Sequence, residues 1–289
     1  MNIPTKIALS FLMVGTVSPA SAAVCVGSYQ TCLSLGLNAN YGIVGLANGK
    51  TFNINSGPIT GNVLIGNHVV TSSSGGGNGQ IVGSVYTDGT ATGDFFSHLQ
   101  NPEPAPLSVA SSVTASALQR AVDLSAYAES LSATQAFSSN IVGNGGLNVI
   151  NVSSLNNPTF TLTGGANDYF VFNLNTFASN RPMTLVGNIN PDHIIFNLLG
   201  TSGNIFQTSG GDTLVGTFLA TRGGNFQFSN LVLTGRLINT AGAIQFVSGS
   251  GLAAPPPGVP EPATWAMMVA GFGLAGWAAR RRRTSVTFA

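Results

Sequence analysis

One five-residue pattern recurs along this chain and constrains its fold more than any other feature. It consists of an aliphatic residue, Val or Thr, Gly, any residue and an apolar residue, and it occurs at 59–63, 81–85, 185–189, 214–218 and 233–237. Because side chains alternate along a strand, the first, third and fifth residues share one face. The central Gly permits a bend or a close approach of another backbone.

The spacing of the copies indicates how such strands assemble. Within their clusters, neighbouring copies start 22, 29 and 19 residues apart. A period of about 20–30 residues is typical of one turn of a parallel β-helix, in which each turn completes the core of the next. We therefore expect a mainly β, solenoid-like domain over 23–253, with a β-sandwich of Gly-rich strands as the alternative.

One segment interrupts the β pattern. Residues 108–137 contain no Gly or Pro, are rich in Ala, and carry apolar residues at mostly helical spacing, which predicts an α-helix. The Pro-rich residues 101–106 precede it and the turn residues 140–146 follow it. The helix thus divides an early group of strands from a later one.

Composition and charge limit the classes of function. Only 7% of the 289 residues are charged, against roughly 25% in an ordinary soluble protein. Between residues 23 and 258, five basic and eight acidic residues give 5 − 8 = −3. Nucleic-acid binding depends on clustered Lys and Arg, so we expect no nucleic-acid partner for this body.

The N-terminal residues are typical of an export signal. Lys6, the apolar run 7–17 and the small residues before Ala23 predict a signal peptide over 1–22, in preference to a buried helix. Cys25 raises the alternative of a lipid anchor, which the bulky Val24 disfavours. Because an exported chain meets an oxidising environment, we expect Cys25 and Cys32, the two cysteines of the chain, to form a disulfide.

The C-terminal residues predict a membrane segment. A Pro-rich linker at 254–258 precedes Val259, Pro260, Glu261 and Pro262, and the apolar stretch 263–279 is followed by Arg280, Arg281, Arg282 and Arg283. Seventeen residues form about 25 Å of helix, near the shortest length that crosses a bilayer. Trp265 and Trp277 suit the two membrane interfaces, and the Arg cluster is expected to stay cytoplasmic.

At 259–283 the chain resembles the PEP-CTERM family of bacterial sorting signals. The resemblance rests on Pro-Glu-Pro, a membrane helix containing Gly271 and Gly273, and an Arg cluster, in that order. It implies recognition by an exosortase-type enzyme at the inner membrane, cleavage near Pro-Glu-Pro, and delivery to the cell surface or an exopolysaccharide matrix. The same type of tail is also called an ice-binding protein C-terminal domain, although the tail itself contains no ice-binding chemistry.

The body resembles two kinds of protein. The stretch 59–66, the Ala-rich helix, and 193–197 leading to 214–220 follow the order of the choice-of-anchor A family of bacterial surface proteins. Leu219-Ala220-Thr221 departs from the Leu-Ala-Pro usual there, which places ligand inference in doubt. The layout also resembles ice-binding β-solenoid proteins.

The sequence contains few signs of catalysis. His68, His98 and His193 are far apart and lack Cys neighbours, so we expect no metal site, no cofactor and no catalytic residues. Asp192-His193 reads as a turn before a strand at 194–198. Gly271 to Gly276 matches a dinucleotide-binding motif but lies inside the membrane segment.

Three functions remain open from the sequence. We favour a structural or adhesive surface protein, with exposed polar residues meeting exopolysaccharide. Ice binding is the alternative, but the Thr-x-Thr pairs at 90–92 and 161–163 are sparse for a regular Thr face. A surface hydrolase is the second alternative and would need distant carboxylates to converge.

Overall fold

The computed structural model describes residues 25–55, 57–71, 81–93, 106–247, 249–255 and 271–272. The signal peptide predicted at 1–22 lies outside these ranges, as do most of the linker and the sorting segment. Within the described ranges, no helix is both long and apolar enough to cross a membrane. They form a mainly β structure with one long helix.

The strands form a stack of coils, and each complete coil contributes one strand segment to each of three faces. Every strand pair among the described residues is parallel, which the sandwich alternative does not predict. The registers of Phe226 with Ile244, Asp212 with Leu231 and Phe177 with Phe206 show that one coil takes 18 to 29 residues. The 22- and 19-residue spacings of the sequence pattern are therefore coil lengths.

The first face, in stacking order, contains β10 (Asn140–Val142), β13 (Thr161–Gly164), β16 (Thr184–Gly187), the first halves of β19 (Asp212–Ala220) and β21 (Leu231–Asn239), β23 (Gly251–Ala253), β3 (Ile59–Thr60) and β6 (Ile81–Val82). The second face contains β11 (Leu147–Asn151), β14 (Tyr169–Leu174), β17 (Ile194–Leu198), the second halves of β19 and β21, β1 (Ile43–Gly45), β4 (Val63–Ile65), β7 (Val85–Thr87) and β9 (Leu107–Ser108). The third face contains β12 (Ser154–Asn156), β15 (Thr176–Ser179), β18 (Asn204–Thr208), β20 (Asn225–Phe228), β22 (Ile244–Phe246), β2 (Thr51–Ile54), β5 (Val70–Thr71) and β8 (Thr92–Gly93).

The order of coils in space differs from their order in the chain. The strands after the helix form the first five coils, and the strands before it continue the same stack beyond β21. The sixth coil is completed by both ends of the domain: β23 pairs with β21 and β3, and β1 pairs with β21 and β4. The two strand groups separated in sequence are thus one continuous stack.

The interior of the stack is filled with aromatic and aliphatic side chains from all three faces. Phe172, Phe196 and Phe218, on successive strands of the second face, stack with ring centroids 4.7 and 4.4 Å apart. Phe206 of the third face stacks on Phe218 at 3.9 Å. Because each inward position is one coil from its neighbour, burying these rings requires several coils at once.

The long helix covers the second face. It spans Ser111–Ser130 and packs its buried Ala117, Ala121 and Leu124 against outward residues of that sheet such as Ile195. The sequence predicted the helix but placed its end wrongly, at 137. The helix stops at Leu131, whose backbone is extended, because the chain then crosses the open edge of β11, where Thr134 and Gln135 donate to the carbonyl of Val149.

Two short helical segments pack beside the long helix. They are α1 (Tyr29–Leu33) and a 3₁₀ turn at Gly36–Asn40, and the long helix above them is α2. Arg120 of α2 donates to the carbonyls of Cys32 and Ser34, which ties the N-terminal segment to the helix.

Candidate functional site

The outward side of the first face is an array of small β-branched residues. Parallel register aligns Val142, Thr163 and Val186 across three strands, with Asn140, Thr161 and Thr184 beside them. Further along, Thr213 aligns with Val232, and Val215 aligns with Thr234, Ala253, Thr60 and Val82. We call these thirteen residues together with Gly251, which aligns with Val232, the Thr/Val array; its fourteen members are Asn140, Val142, Thr161, Thr163, Thr184, Val186, Thr213, Val215, Val232, Thr234, Gly251, Ala253, Thr60 and Val82.

The array is open to solvent even though it is rich in Val. Val142, Val232 and Val82 are 50 to 56% exposed, and Val186 is 46% exposed. Their strand neighbours point inward and are buried; Leu162, for example, is fully buried between the outward Thr161 and Thr163. An exposed row of apolar and hydroxyl side chains is unusual for a soluble surface, which makes the array the first candidate site.

The geometry of the array follows from its strands. Neighbouring strands lie about 4.8 Å apart, and alternate residues along a strand lie roughly 6.6 Å apart. Because Val and Thr branch at Cβ, their χ1 angles are restricted, so methyl and hydroxyl groups are held in a fixed two-dimensional pattern. No member of the array is ionisable, so the pattern does not change with pH.

The array has two parts that meet at an irregular seam. β10, β13 and β16 form a separate three-stranded sheet, and the strands from β19 onward belong to the larger sheet. A backbone hydrogen bond of 2.9 Å from Met183 N to Thr213 O connects them. The 3₁₀ turn at Pro191–His193 and the loop between β17 and β18 lengthen the chain between these coils, in agreement with the 29-residue spacing in the sequence.

Such an array is suited to a periodic, uncharged surface. Hydroxyl groups donate and accept hydrogen bonds, methyl groups do neither, and both recur at the regular spacing of the strands. Sequence reasoning missed the array because it searched for Thr-x-Thr within one strand. Only Thr161 and Thr163 belong to such a pair, and the other rows arise from residues one coil apart in register.

A cavity lies beside the helical segments and is the second candidate region. It is a cavity of about 840 Å³ between α1 with the 3₁₀ turn and the strand region that carries Tyr169, Asp192 and His193. The His193 ring stacks on Tyr169 with centroids 3.8 Å apart. Burial lowers the pKa of His193, although hydrogen bonds and nearby Asp192 oppose the shift.

Asp192 does not activate this histidine. Its carboxylate accepts two hydrogen bonds, of 2.9 and 3.1 Å, from the buried guanidinium of Arg236. Arg236 also donates to the carbonyls of Tyr41 and Pro255, so the ion pair fixes both ends of the domain. The turn at Pro191–His193 followed by β17 agrees with the sequence interpretation of Asp192-His193 as a turn before a strand.

The remaining predicted site residues are placed as follows. Cys25 and Cys32 are joined by a disulfide, with Cα atoms 5.7 Å apart, at the start of α1. Among the described residues, no group of three or more His, Cys, Asp or Glu side chains is arranged to hold a metal ion. Gly271 is described and exposed, and the other sorting and membrane residues lie outside the described ranges.

Comparisons with known proteins separate the tail from the body. The PEP-CTERM protein-sorting motif matches residues 258–283, which supports an exported protein sorted by an exosortase. No curated protein matches the sequence. The motif covers the tail and leaves the body to be compared by structure.

The body shares its fold with solved ice-binding proteins. One is a glycosylated ice-binding protein from an Arctic yeast, 19% identical, with a TM-score of 0.51 over 80% of this chain and 96% of that one. Another, from an Antarctic biological consortium, is 18% identical, with a TM-score of 0.54 over 83% and 96%. A third, from an Antarctic Flavobacteriaceae bacterium, is 17% identical, with a TM-score of 0.51 over 84% and 52%. At these identities the likeness establishes the fold alone.

Proposed function

We propose that this chain is an exported surface protein that binds ice through its Thr/Val array. The observation that carries the proposal is the exposed, uncharged pattern of β-branched residues in register across successive coils. The fold that the body shares with ice-binding proteins from cold environments supports it. This reverses the sequence preference for a purely structural or adhesive role.

Binding to ice needs no catalytic group. The array offers hydroxyl and methyl groups and no nucleophile with a base, so we propose a binding protein rather than an enzyme. A surface hydrolase would require a carboxylate pair, and the paired Asp192 does not supply one. The mechanism is adsorption: ordered water over the array merges with the ice lattice, and the body is held on the crystal by many weak contacts.

Thermal hysteresis, the gap between melting and growth temperatures of an ice crystal, tests the activity. Thr184→Tyr and Thr213→Tyr place a large ring on an exposed array position in each part of the first face. We expect each to lower hysteresis several-fold. Gln207→Tyr, on the exposed side of the third face, is the matched control and should leave it unchanged. Absence of hysteresis in the unaltered protein, or equal loss in the control, would refute the proposal.

We further propose the route by which the array reaches the outside. The signal peptide at 1–22 directs export, the helix at 263–279 holds the protein in the inner membrane, and an exosortase-type enzyme cleaves near Pro260 to Pro262. The sorting motif supports this route. Mass spectrometry of the mature C-terminus is the test: a terminus within 258–263 is expected, and an intact Ala289 on the surface protein would overturn the cleavage step.

A further inference from the structure

The corner between the second and third faces contains a groove remote from the Thr/Val array. Turns of four neighbouring coils form it, and its volume is about 410 Å³. Thr201 to Gly203 stand on one side and Lys50 on the other, with Arg222 and Asn225 between them. We call this region the corner groove.

The groove is deep because its central turns consist of glycine. Gly224 and Gly242 are buried and stack coil on coil, and a Cβ on Gly242 would lie 1.6 Å from the carbonyl oxygen of Gly224. The turn carrying Lys50 is exposed beyond them. The floor is therefore backbone, and no hydrogen bond among the described residues uses the N–H groups of Gly223 and Gly224.

The charge at the groove is positive in a body that is negative overall. Lys50 is exposed and forms no ion pair within the described residues. Arg222 is paired with Glu129 of α2, with 44% and 38% of the two side chains exposed. Exposed ion pairs contribute little, so a ligand anion can compete with Glu129 for Arg222.

A row of side-chain amides runs from the groove along the third face. Parallel register aligns Gln207, Gln227 and Gln245 on successive coils, and Asn53, next in the row, is buried. The Oε1 atom of Gln227 accepts a hydrogen bond from the Asn204 amide, 2.5 Å away. Amides both donate and accept hydrogen bonds, as sugar hydroxyls do. Asn225 at the groove accepts from Ala243 N through its Oδ1, and its amide nitrogen has no partner among the described residues. The surface thus places the positive charges of Lys50 and Arg222 next to side-chain amides that can hydrogen-bond sugar hydroxyls.

We propose that the corner groove binds an acidic polysaccharide. A uronate carboxylate lies between Lys50 and Arg222, and the hydroxyls of neighbouring sugars bind the amides of Gln227 and Gln245. Two cations are too few for a nucleic acid, which needs clustered Lys and Arg and draws on aromatic stacking. The proposal is independent of ice binding, since no groove residue belongs to the Thr/Val array.

Calorimetric titration of the full chain in neutral phosphatidylcholine nanodiscs tests the proposal, with tetragalacturonate as probe and galactotetraose as its neutral counterpart. Lys50→Gln should weaken binding of tetragalacturonate by about tenfold, as expected for losing a charged hydrogen bond. Glu129→Gln, which frees Arg222, should strengthen it. Arg181→Gln removes an exposed cation elsewhere and should change nothing.

Each outcome decides for or against the groove. Opposite effects of the Lys50 and Glu129 variants, with an unaffected control, support the site and cannot arise from general unfolding. No binding of tetragalacturonate, equal binding of galactotetraose, or equal loss in Arg181→Gln would overturn it. Inorganic phosphate that competes as well as the tetramer would show a simple anion site and would also refute the polysaccharide assignment.

Discussion

Single glycines decide whether successive coils can stack. The sequence pattern predicted a bend or a close approach at its central Gly, and Gly187 shows both. Its φ is +99°, and a Cβ there would lie 2.0 Å from the carbonyl oxygen of Gly164 on the preceding coil. What the sequence could not show is which backbone atom lies opposite, because that depends on the register between coils.

Gly187→Ala should lower the free energy of unfolding by about 2 kcal/mol or more, since it combines backbone strain with a backbone clash. Gly210→Ala is the matched control, because no heavy atom lies within 4 Å of a Cβ there and its φ is ordinary. Denaturant unfolding of both variants measures the difference. Equal stability of the two variants would contradict the described coil contact.

Asp168 makes the stability of the folded protein depend on pH. Burial by itself raises the pKa of this carboxyl, but hydrogen bonds from Gly165 N, Gly145 N and the Asn148 amide outweigh it, so the pKa is lowered below 3.8. A lowered folded pKa gives stability that is present above the unfolded value and lost as pH falls through the folded one.

We therefore expect the unfolding midpoint to fall on acidification below about pH 4, and Asp168→Asn to remove part of that slope. Asp123→Asn, on the exposed side of α2 with Gln119 as its partner, should leave the slope unchanged. Thermal melts across about pH 2.5 to 6 would measure this slope, and the part due to Asp168 corresponds to the uptake of roughly one proton on unfolding. A slope unaltered by Asp168→Asn would show that this carboxyl is not responsible.

The helix illustrates what local sequence determines and what it does not. Its Ala-rich composition predicted the element, and the structure explains that composition: Ala117, Ala121 and Ala128 are fully buried against the second face. Its end at Ser130 follows from the edge of β11, a contact distant in sequence. The rows of the Thr/Val array escaped prediction for the same reason, since coil lengths vary and no local window contains two members of a row.

Ala121→Leu should destabilise the protein by about 1–3 kcal/mol, because the added side chain has no space between helix and sheet. Ala115→Leu, at an exposed position of the same helix, should have little effect. Chemical denaturation compares the two. If both variants were equally stable, the helix would not be packed as closely on the second face as described.

The whole molecule depends on a coil built from both ends of the domain. β23 lies between β21 and β3, and Pro255 is held by Arg236 just beyond it. No pattern in the sequence indicated that strands before the helix would stack on those after it. This arrangement also means that the domain cannot complete its stack until residues 251–255 have been synthesised.

Removing residues 251–289 should therefore lower the thermal unfolding midpoint far more than removing 259–289, because the shorter chain leaves β21 and β3 without their shared neighbour. Circular dichroism melts of the two truncated chains would measure this. Matching midpoints would mean that β23 is dispensable and that the sixth coil is not continuous.

We propose that the whole molecule adsorbs to ice through the Thr/Val array. The most direct measurement uses a single-crystal ice hemisphere grown in fluorescently labelled protein, washed, and imaged for bound dye. We expect the unaltered protein to remain on defined crystal planes, and we expect Thr213→Tyr but not Gln207→Tyr to reduce this signal. A hemisphere that incorporates the unaltered protein no better than a labelled non-binding protein would show that the Thr/Val array does not bind ice.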